Sequence, residues 1–524
     1  MKRYILNVFT LIVLATTMAG CKKNFQELYE NPNKPIVVPP SLLLNNVMNS
    51  MLDAPGGQLD RTNQYQLQNN SYFGNNQYNF GPGTDYYAML TNVSNMEKLA
   101  FAAVSDDLNP YHALGKFFRA YYFSKMSLQM GDIPMSQALQ GNLLLQPVYD
   151  PQKTVFLNCL NLLEQSNADL TALIAKKNTS LSGDMYFNND LQAWQRVVNT
   201  FRLRLLIHLS KKSDDTDLKV AQQFAQVASD PVKYPLMLGT ANDLKYTWLD
   251  PTNRYPLNKE TLADGVLNNI ADTYVGLLTA NQDPRVFVTA EPAPGIVSAG
   301  GSPVDFASFQ GGNIGADIGV LASQNGGGKL SSVNRHRYFF GYTAENTAII
   351  SYTEMCFNFA EAINRGWIPS GPLGNAEAYY NAGIKASMAF YAVPLNGPMT
   401  VYSLPLGVSL AGPYVTNTVN VNYDTYYAQP TVKYAGNNAT GLRQILEQKY
   451  VAFFLNSGLE PYYNWRRTGF PTFKTGVGTG NNGKIALRYK YFNAEQSANT
   501  TNYNAAIAQY NNVDDVNGVM WILK

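Results

Sequence analysis

The chain has 524 residues, 45% hydrophobic and 12% aromatic, and only 15% of them are charged. Its 39 basic residues nearly balance 37 acidic ones, so nothing points to a nucleic-acid partner, which would ask for a strongly basic face. Surface polarity must therefore come from Asn, Gln, Ser, Thr and 35 tyrosines, and such a surface suits neutral polar ligands.

Lys2 and Arg3 precede an apolar run from Tyr4 to Met18, then Ala19, Gly20 and Cys21. These are the zones of a secretory leader, and a cysteine just after the small residues predicts a lipoprotein leader over 1–20, cut so that a lipidated Cys21 becomes the first residue. The run is shorter than the roughly 20 apolar residues that span a bilayer. Several acyl chains anchor a protein stably without a span, so the expected membrane contact is the lipid alone. Losing Lys2 and Arg3 leaves the mature chain formally neutral.

Residues 21–40, polar and then proline-rich, read as a tether that runs into a first helix near Ser41. The stretch 58–87 has no helical period and mixes aromatics with Asn and Gln, which reads as a long loop. Apolar spacing then predicts helices over Leu114–Leu128, Phe156–Ile174 and Trp194–Leu209, with a shorter partner around Phe224 and Val227. From about 234 to 337 the period is lost in a Gly-, Asn- and Pro-rich excursion whose glycines from Gly311 to Gly328 suggest mobility. Tyr352–Ile363 and Ala376–Phe390 form a pair of amphipathic helices with a tight break between them, the plan of a tetratricopeptide hairpin. A polar, strand-poor excursion at about 400–438 leads to a last pair, Leu442–Phe453 and Tyr462–Arg467. The predicted fold class is mainly α, a tetratricopeptide-like scaffold of helix pairs with large irregular loop excursions and little β structure, forming one domain over 41–524.

Catalytic signatures are missing. His112, His208 and His336 stand in no metal or triad spacing, and His208 reads as a core histidine. Glu354 and Glu361 have the residue type of a glycosidase pair and nothing else in their favour. Gly326-Gly327-Gly328-Lys329 lacks the Ser or Thr of a phosphate loop and reads as a flexible loop. Asp514, Asp515, Asn517 and Gly518 lack the downstream Glu of a calcium loop. Cys159 and Cys356 lie on apolar helix stripes, where buried free thiols are expected. No catalytic residue, metal site or cofactor is expected. Trp194, Arg202, Arg204, Lys449, Trp465, Arg466 and Arg467 read as scaffold, with arginines paired to carboxylates or helix ends.

Several segments in order along the chain resemble the SusD/RagB family of nutrient-binding outer-membrane lipoproteins. They are GDIPMSQAL from Gly131, the tryptophan-bearing helix after Gly183, QDPRV from Gln282, ISYTEMCFNFAEAINRGW from Ile350, LEQKYVAFF with YYNWRRTGFP, and LRYKYFNAEQSANTTNYNAAI. Phe492 stands where that pattern usually has proline, and Tyr450 where tryptophan is common. The resemblance implies a surface-exposed outer-membrane protein, a binder without catalysis, that hands nutrient oligomers to a SusC-type TonB-dependent channel and acts as its lid. Oligosaccharide is the leading ligand and peptide the alternative. The rival of another class is a scaffold that gates the channel without a ligand of its own.

Sugar rings have apolar C–H faces ringed by hydroxyls, so their site needs flat aromatic platforms beside neutral amides. The loop 58–87 offers Tyr65, Tyr72, Phe73, Tyr78, Tyr86 and Tyr87 among Asn69, Asn70, Asn75, Asn76 and Asn79. Those rings either face a ligand or pack the loop against the helices or the channel. The middle excursion adds Trp248, Tyr255, Phe306, Phe309, Arg335, Arg337 and Tyr338 as a second candidate set.

Overall fold

The computed structural model describes residues 38–70 and 77–524. The leader, Cys21, most of the tether, and Tyr72, Phe73, Asn75 and Asn76 lie outside the described residues.

In chain order the elements are α1 (Pro40–Asn49), α2 (Gln58–Thr62), β1 (Gln66–Gln68), α3 (Tyr87–Val104), α4 (Pro110–Met130), α5 (Gln152–Ala175), α6 (Leu191–His208) and α7 (Val220–Ser229). The middle excursion holds β2 (Leu244–Tyr246), β3 (Asn268–Ile270), α8 (Asp272–Ala280), α9 (Ile318–Gly326) and the one-turn α10 (Arg335–Tyr338). Then follow β4 (Thr347–Ile350), α11 (Tyr352–Asn364), α12 (Ala376–Phe390), β5 (Asn396–Ser403), β6 (Val415–Asn422), α13 (Ala439–Ala452) and α14 (Glu460–Thr468). The helices predicted from apolar spacing all form, and the scaffold is the mainly helical, tetratricopeptide-like stack expected.

Local chemistry explains the boundaries. Pro110 opens α4 where a missing N–H costs nothing, and Asn109 accepts from the His112 N–H as its cap. Asp190, Ser351, Asn375 and Asn438 cap α6, α11, α12 and α13 in the same way. The stack runs through neighbouring helices: α4 packs on α5, α5 on α6, α6 on α11, and α11 on both α12 and α13. Gly383 lets α12 approach α11, since a Cβ there would sit 2.8 Å from the Phe357 ring. One hydrophobic core reaches from Leu44 to Leu523. Cys159 and Cys356 are both buried and free. No helix of the described residues is long and apolar enough to cross a membrane.

Four expectations are corrected. A helix the sequence reading lacks, α3, buries Leu90, Val93, Met96 and Ala100 on one stripe. Within the expected loop 58–87, residues form α2 and β1, and β1 pairs antiparallel with β3. The 400–438 region is not strand-poor: β5 and β6 form an antiparallel hairpin from Asn396↔Asn422 to Ser403↔Val415, burying Met399, Val401 and Ser403 on one face. The glycine-rich 311–328 segment carries α9, and Leu67, Ile314, Leu321 and Leu330 form a small core of their own beside it; Gly326 ends that helix rather than opening a flexible loop.

Charged side chains occupy the scaffold's centre. Arg204 on α6 grips Glu354 on α11, with Nε 2.7 Å from Oε1. Arg467 on α14 binds both oxygens of Glu361, one at 2.9 Å, and Arg365 joins that carboxylate at 2.8 Å. Lys449 on α13 donates to Asn358 at 2.7 Å. His208 lies 3.0 Å from Glu460, though poorly aligned for a hydrogen bond, since Nε2 and Oε2 each lack a well-oriented partner. Burial alone would raise the Glu361 carboxyl, but the Arg467 and Arg365 guanidiniums overcome it and hold the group well below the usual carboxylate range. Burial pulls Lys449 below its usual value, with Glu354 and Glu361 opposing. Glu354 and Glu361 are thus structural carboxylates, consumed by arginines. At the far end, Arg466 donates to the Leu128 and Leu487 carbonyls, and Arg488 donates to Met130 and pairs with Asp514. Both arginines close the C-terminal end of α4, where carbonyls lack helical partners. The calcium-like stretch is therefore tied up in packing, and no group of three or more metal-ligating His, Cys, Asp or Glu side chains occurs among the described residues.

Removing one partner from a buried ion pair strands the other, at a cost of about 3–5 kcal/mol. Glu361→Gln is expected to lower the urea unfolding free energy by that order at pH 7. Because the folded carboxyl titrates below its unfolded value, the difference from the parent protein should shrink as pH falls below the ordinary carboxylate range. Asp60 behaves oppositely: burial pushes it up to about 7, despite the Gly56 N–H donated at 2.6 Å. Its contribution is complete below the ordinary carboxylate value and is lost as pH rises towards 7. Asp60→Asn should flatten that fall, read as unfolding free energy between pH 4 and about 7.

Candidate functional site

The middle excursion and the β5–β6 hairpin meet at α10. One helical turn sorts its side chains by direction. Arg335 turns inward to Glu291 at 2.5 Å, and Tyr338 turns inward so that its hydroxyl reaches Glu345 at 3.2 Å. Arg337 is held at Nε by Glu345 at 2.9 Å and at Nη1 by the Tyr391 carbonyl at 3.0 Å. His336 and, just beyond the helix, Phe340 face outward. Phe340 is 59% exposed.

Those two rings continue onto the hairpin. His336 stacks on Tyr402 of β5 with centroids 3.6 Å apart and on Phe340 at 4.8 Å, while Tyr414, one residue before β6, meets His336 edge-on at 5.2 Å. Partial burial lowers the His336 pKa below its usual value, so at neutral pH the imidazole stacks as an uncharged ring. Four rings from two separate excursions thus make one aromatic platform, with Phe340 exposed and the other three half-buried.

Two cavities flank it and share Phe287 as a wall. One, about 230 Å³, lies between Asn334, His336, Thr400 and Tyr402. The other, about 380 Å³, runs along β6 past Thr418, Asn420 and Asn422, opposite Gln282, Phe306 and Gln429. No residue lining the larger cavity carries a charge. Amides and hydroxyls there can both donate and accept, and the rings present flat apolar faces, which together match a polyhydroxylated ring. The floor under this groove is rigid: Arg285, fully buried, is locked to Asp283, Ser387 and Gln448.

Most rings singled out from sequence lie elsewhere, in the core. Tyr65 stacks on Tyr450 at 4.6 Å and donates to its carbonyl. Tyr78 accepts from Gln64 and donates to Thr62 O. Tyr86 packs on Tyr122 beside Lys125, and Tyr87 donates to Pro134 O. Trp248 is wedged between Tyr246 and Tyr255 with Nε1 on Thr347, and Tyr338 is fully buried. The polar tips of Tyr65, Tyr78, Tyr87, Trp248 and Tyr338 are satisfied inside the protein, the Tyr255 hydroxyl is buried without a partner, and a buried ring offers no face to a solute. Arg337 is half-exposed beside the groove, with its guanidinium committed to Glu345. Asn69 is buried on Asn269 and Val266 O. The sequence reading missed His336, Phe340, Tyr402 and Tyr414. The inward–outward alternation in Arg335-His336-Arg337-Tyr338 and the β alternation in Met399-Thr400-Val401-Tyr402 were the signals that could have found them.

The fold has known counterparts. A SusD homologue from Bacteroides fragilis is 26% identical with a TM-score of 0.80, the match covering 93% of this chain and 100% of that one. A Bacteroides vulgatus outer-membrane protein assigned to nutrient binding is 29% identical with a TM-score of 0.77, over the same shares. A chitin-binding SusD homologue from Flavobacterium johnsoniae is 19% identical at a TM-score of 0.68, covering 93% of this chain and 98% of that one, a likeness of fold. No curated protein matches the chain. The family model described as SusD-like, starch-binding and associating with the outer membrane matches residues 32–492, and the chain accordingly belongs to the SusD-like family.

Proposed function

We propose that this protein captures neutral oligosaccharides on the platform of His336, Phe340, Tyr402 and Tyr414 and in the adjoining charge-free groove. It then passes them, as a lid, to a SusC-type TonB-dependent channel. The observation that carries the reading is the pairing of a partly exposed cluster of stacked rings with a groove lined only by uncharged side chains. The family's starch-binding description and the chitin-binding relative support a glycan over a peptide. Binding without chemistry is part of the same reading, since Glu354 and Glu361, the two glutamates with the residue type of a hydrolytic pair, are locked in ion pairs. Tyr72, Phe73, Asn75 and Asn76 extend the proposal as further ligand contacts, and a lipid on Cys21 would hold the lid beside its channel on the outer face of the membrane.

Calorimetric titration of the protein with soluble malto- and chito-oligosaccharides tests the capture. An aromatic face adds roughly 0.5–1.5 kcal/mol to a contact, so Tyr402→Ala and Phe340→Ala should each weaken binding roughly two- to tenfold. Unchanged affinity in both variants would move the site elsewhere. If neither glycan nor peptide binds while the channel still copurifies, the gating-scaffold reading replaces capture. Cys21→Ala should leave glycan affinity intact and shift the protein from the membrane fraction to the soluble one, with loss of uptake by cells.

A further inference from the structure

Behind the platform, on the other side of Arg337, lies a cavity of about 340 Å³ whose chemistry differs from that of the groove. This volume falls within the range of small-molecule sites, about 300–1,000 Å³. It opens where β2 pairs with β4 and where α11 begins. Leu244 and Tyr246 of β2 are buried, so the strand's alternation sends Lys245 to the cavity side. Asp243, just before the strand, accepts the Tyr352 N–H at 2.7 Å. On the opposite wall Arg337 and Glu345 neutralise each other at 2.8 Å.

Two ionisable groups are then left without an ionic partner. Among the described residues the Lys245 ammonium has no hydrogen bond or ion pair, and Asp243 has no cationic partner within ion-pair distance, Lys245 included. Both side chains are half-buried, so each has given up water without gaining a counter-charge. Burial pushes the Asp243 carboxyl up to about 7, against the Tyr352 N–H first and the Lys245 charge second, so without a cation beside it the group is only partly ionised at neutral pH and an arriving ammonium would stabilise its charged form. A neutral sugar would leave both charges unsatisfied. An anion would satisfy Lys245 alone, and a cation Asp243 alone.

We propose that this cavity binds a small zwitterion, a free α-amino acid, with its carboxylate on Lys245 and its ammonium on Asp243. Ser351 and Asn346 also line the cavity and supply hydroxyl and amide partners. The site is distinct from the glycan platform and stands whether or not that platform binds sugar.

Full-length protein titrated calorimetrically with L-alanine, L-leucine and L-glutamine should bind at least one of them. Lys245→Met and Asp243→Asn, the latter keeping an acceptor for the Tyr352 N–H, should each weaken that binding tenfold or more. So should blocking either charge of the ligand, as in its N-acetyl or carboxamide form. Far-UV circular dichroism matching the parent protein establishes that both variants are folded. Failure of all three amino acids to bind, or binding that survives either substitution or either blocked ligand, overturns the proposal.

Discussion

The structure depends on a set of charges placed where water cannot reach. Arg204, Glu354, Glu361, Arg467 and Lys449 come from four helices, α6, α11, α14 and α13, and meet in the interior. Buried pairs of this kind add little net stability over apolar packing, because desolvation offsets the attraction. What they add here is selectivity of register. Each guanidinium fork must find its carboxylate, and a slip of either helix by one turn would strand several charges at once. An apolar stripe alone tolerates such slips far better. The long excursions between α7 and α11 and between α12 and α13 can therefore be large and irregular without loosening the frame.

That frame was legible because helices of 13 to 24 residues repeat their apolar pattern often enough to be read. α3 escaped because its stripe of Leu90, Val93 and Met96 is interleaved with Thr91, Asn92, Ser94 and Asn95 and follows a loop rich in tyrosine. The β5–β6 hairpin escaped because its outer face is Thr and Asn, so half of each strand looks like loop. The apolar half of β5, Met399 and Val401, is only two residues long.

The site was less legible than the fold, and tyrosine is the reason. A ring with a hydroxyl suits a sugar, an interface or a core equally well, and composition does not say which. Here Tyr65, Tyr78, Tyr255 and Tyr338 were taken into the core, where neighbouring chain supplies partners or stacking faces. Tyr402 and Tyr414 were left outside by the strand alternation and loop geometry of a hairpin that the sequence reading did not contain. The region was found, through Arg335, Arg337 and Tyr338, but the side chains that matter are their neighbours. Only backbone direction separates the two sets.

Arg466 and Arg488 bear on how the chain comes together in time. They lie more than 300 residues beyond α4, which begins at Pro110, yet their hydrogen bonds finish that helix. Lys211, at the end of α6, likewise donates to the Leu523 carbonyl. α4 therefore carries open backbone acceptors until the segments around Arg466 and Arg488 have been made and docked. Contacts spanning more than 300 residues make folding slow, and a chain of this size collects in partly packed intermediates, so the C-terminal end of α4 stays pliable long after the helix itself has formed and stiffens only when these distant arginines dock.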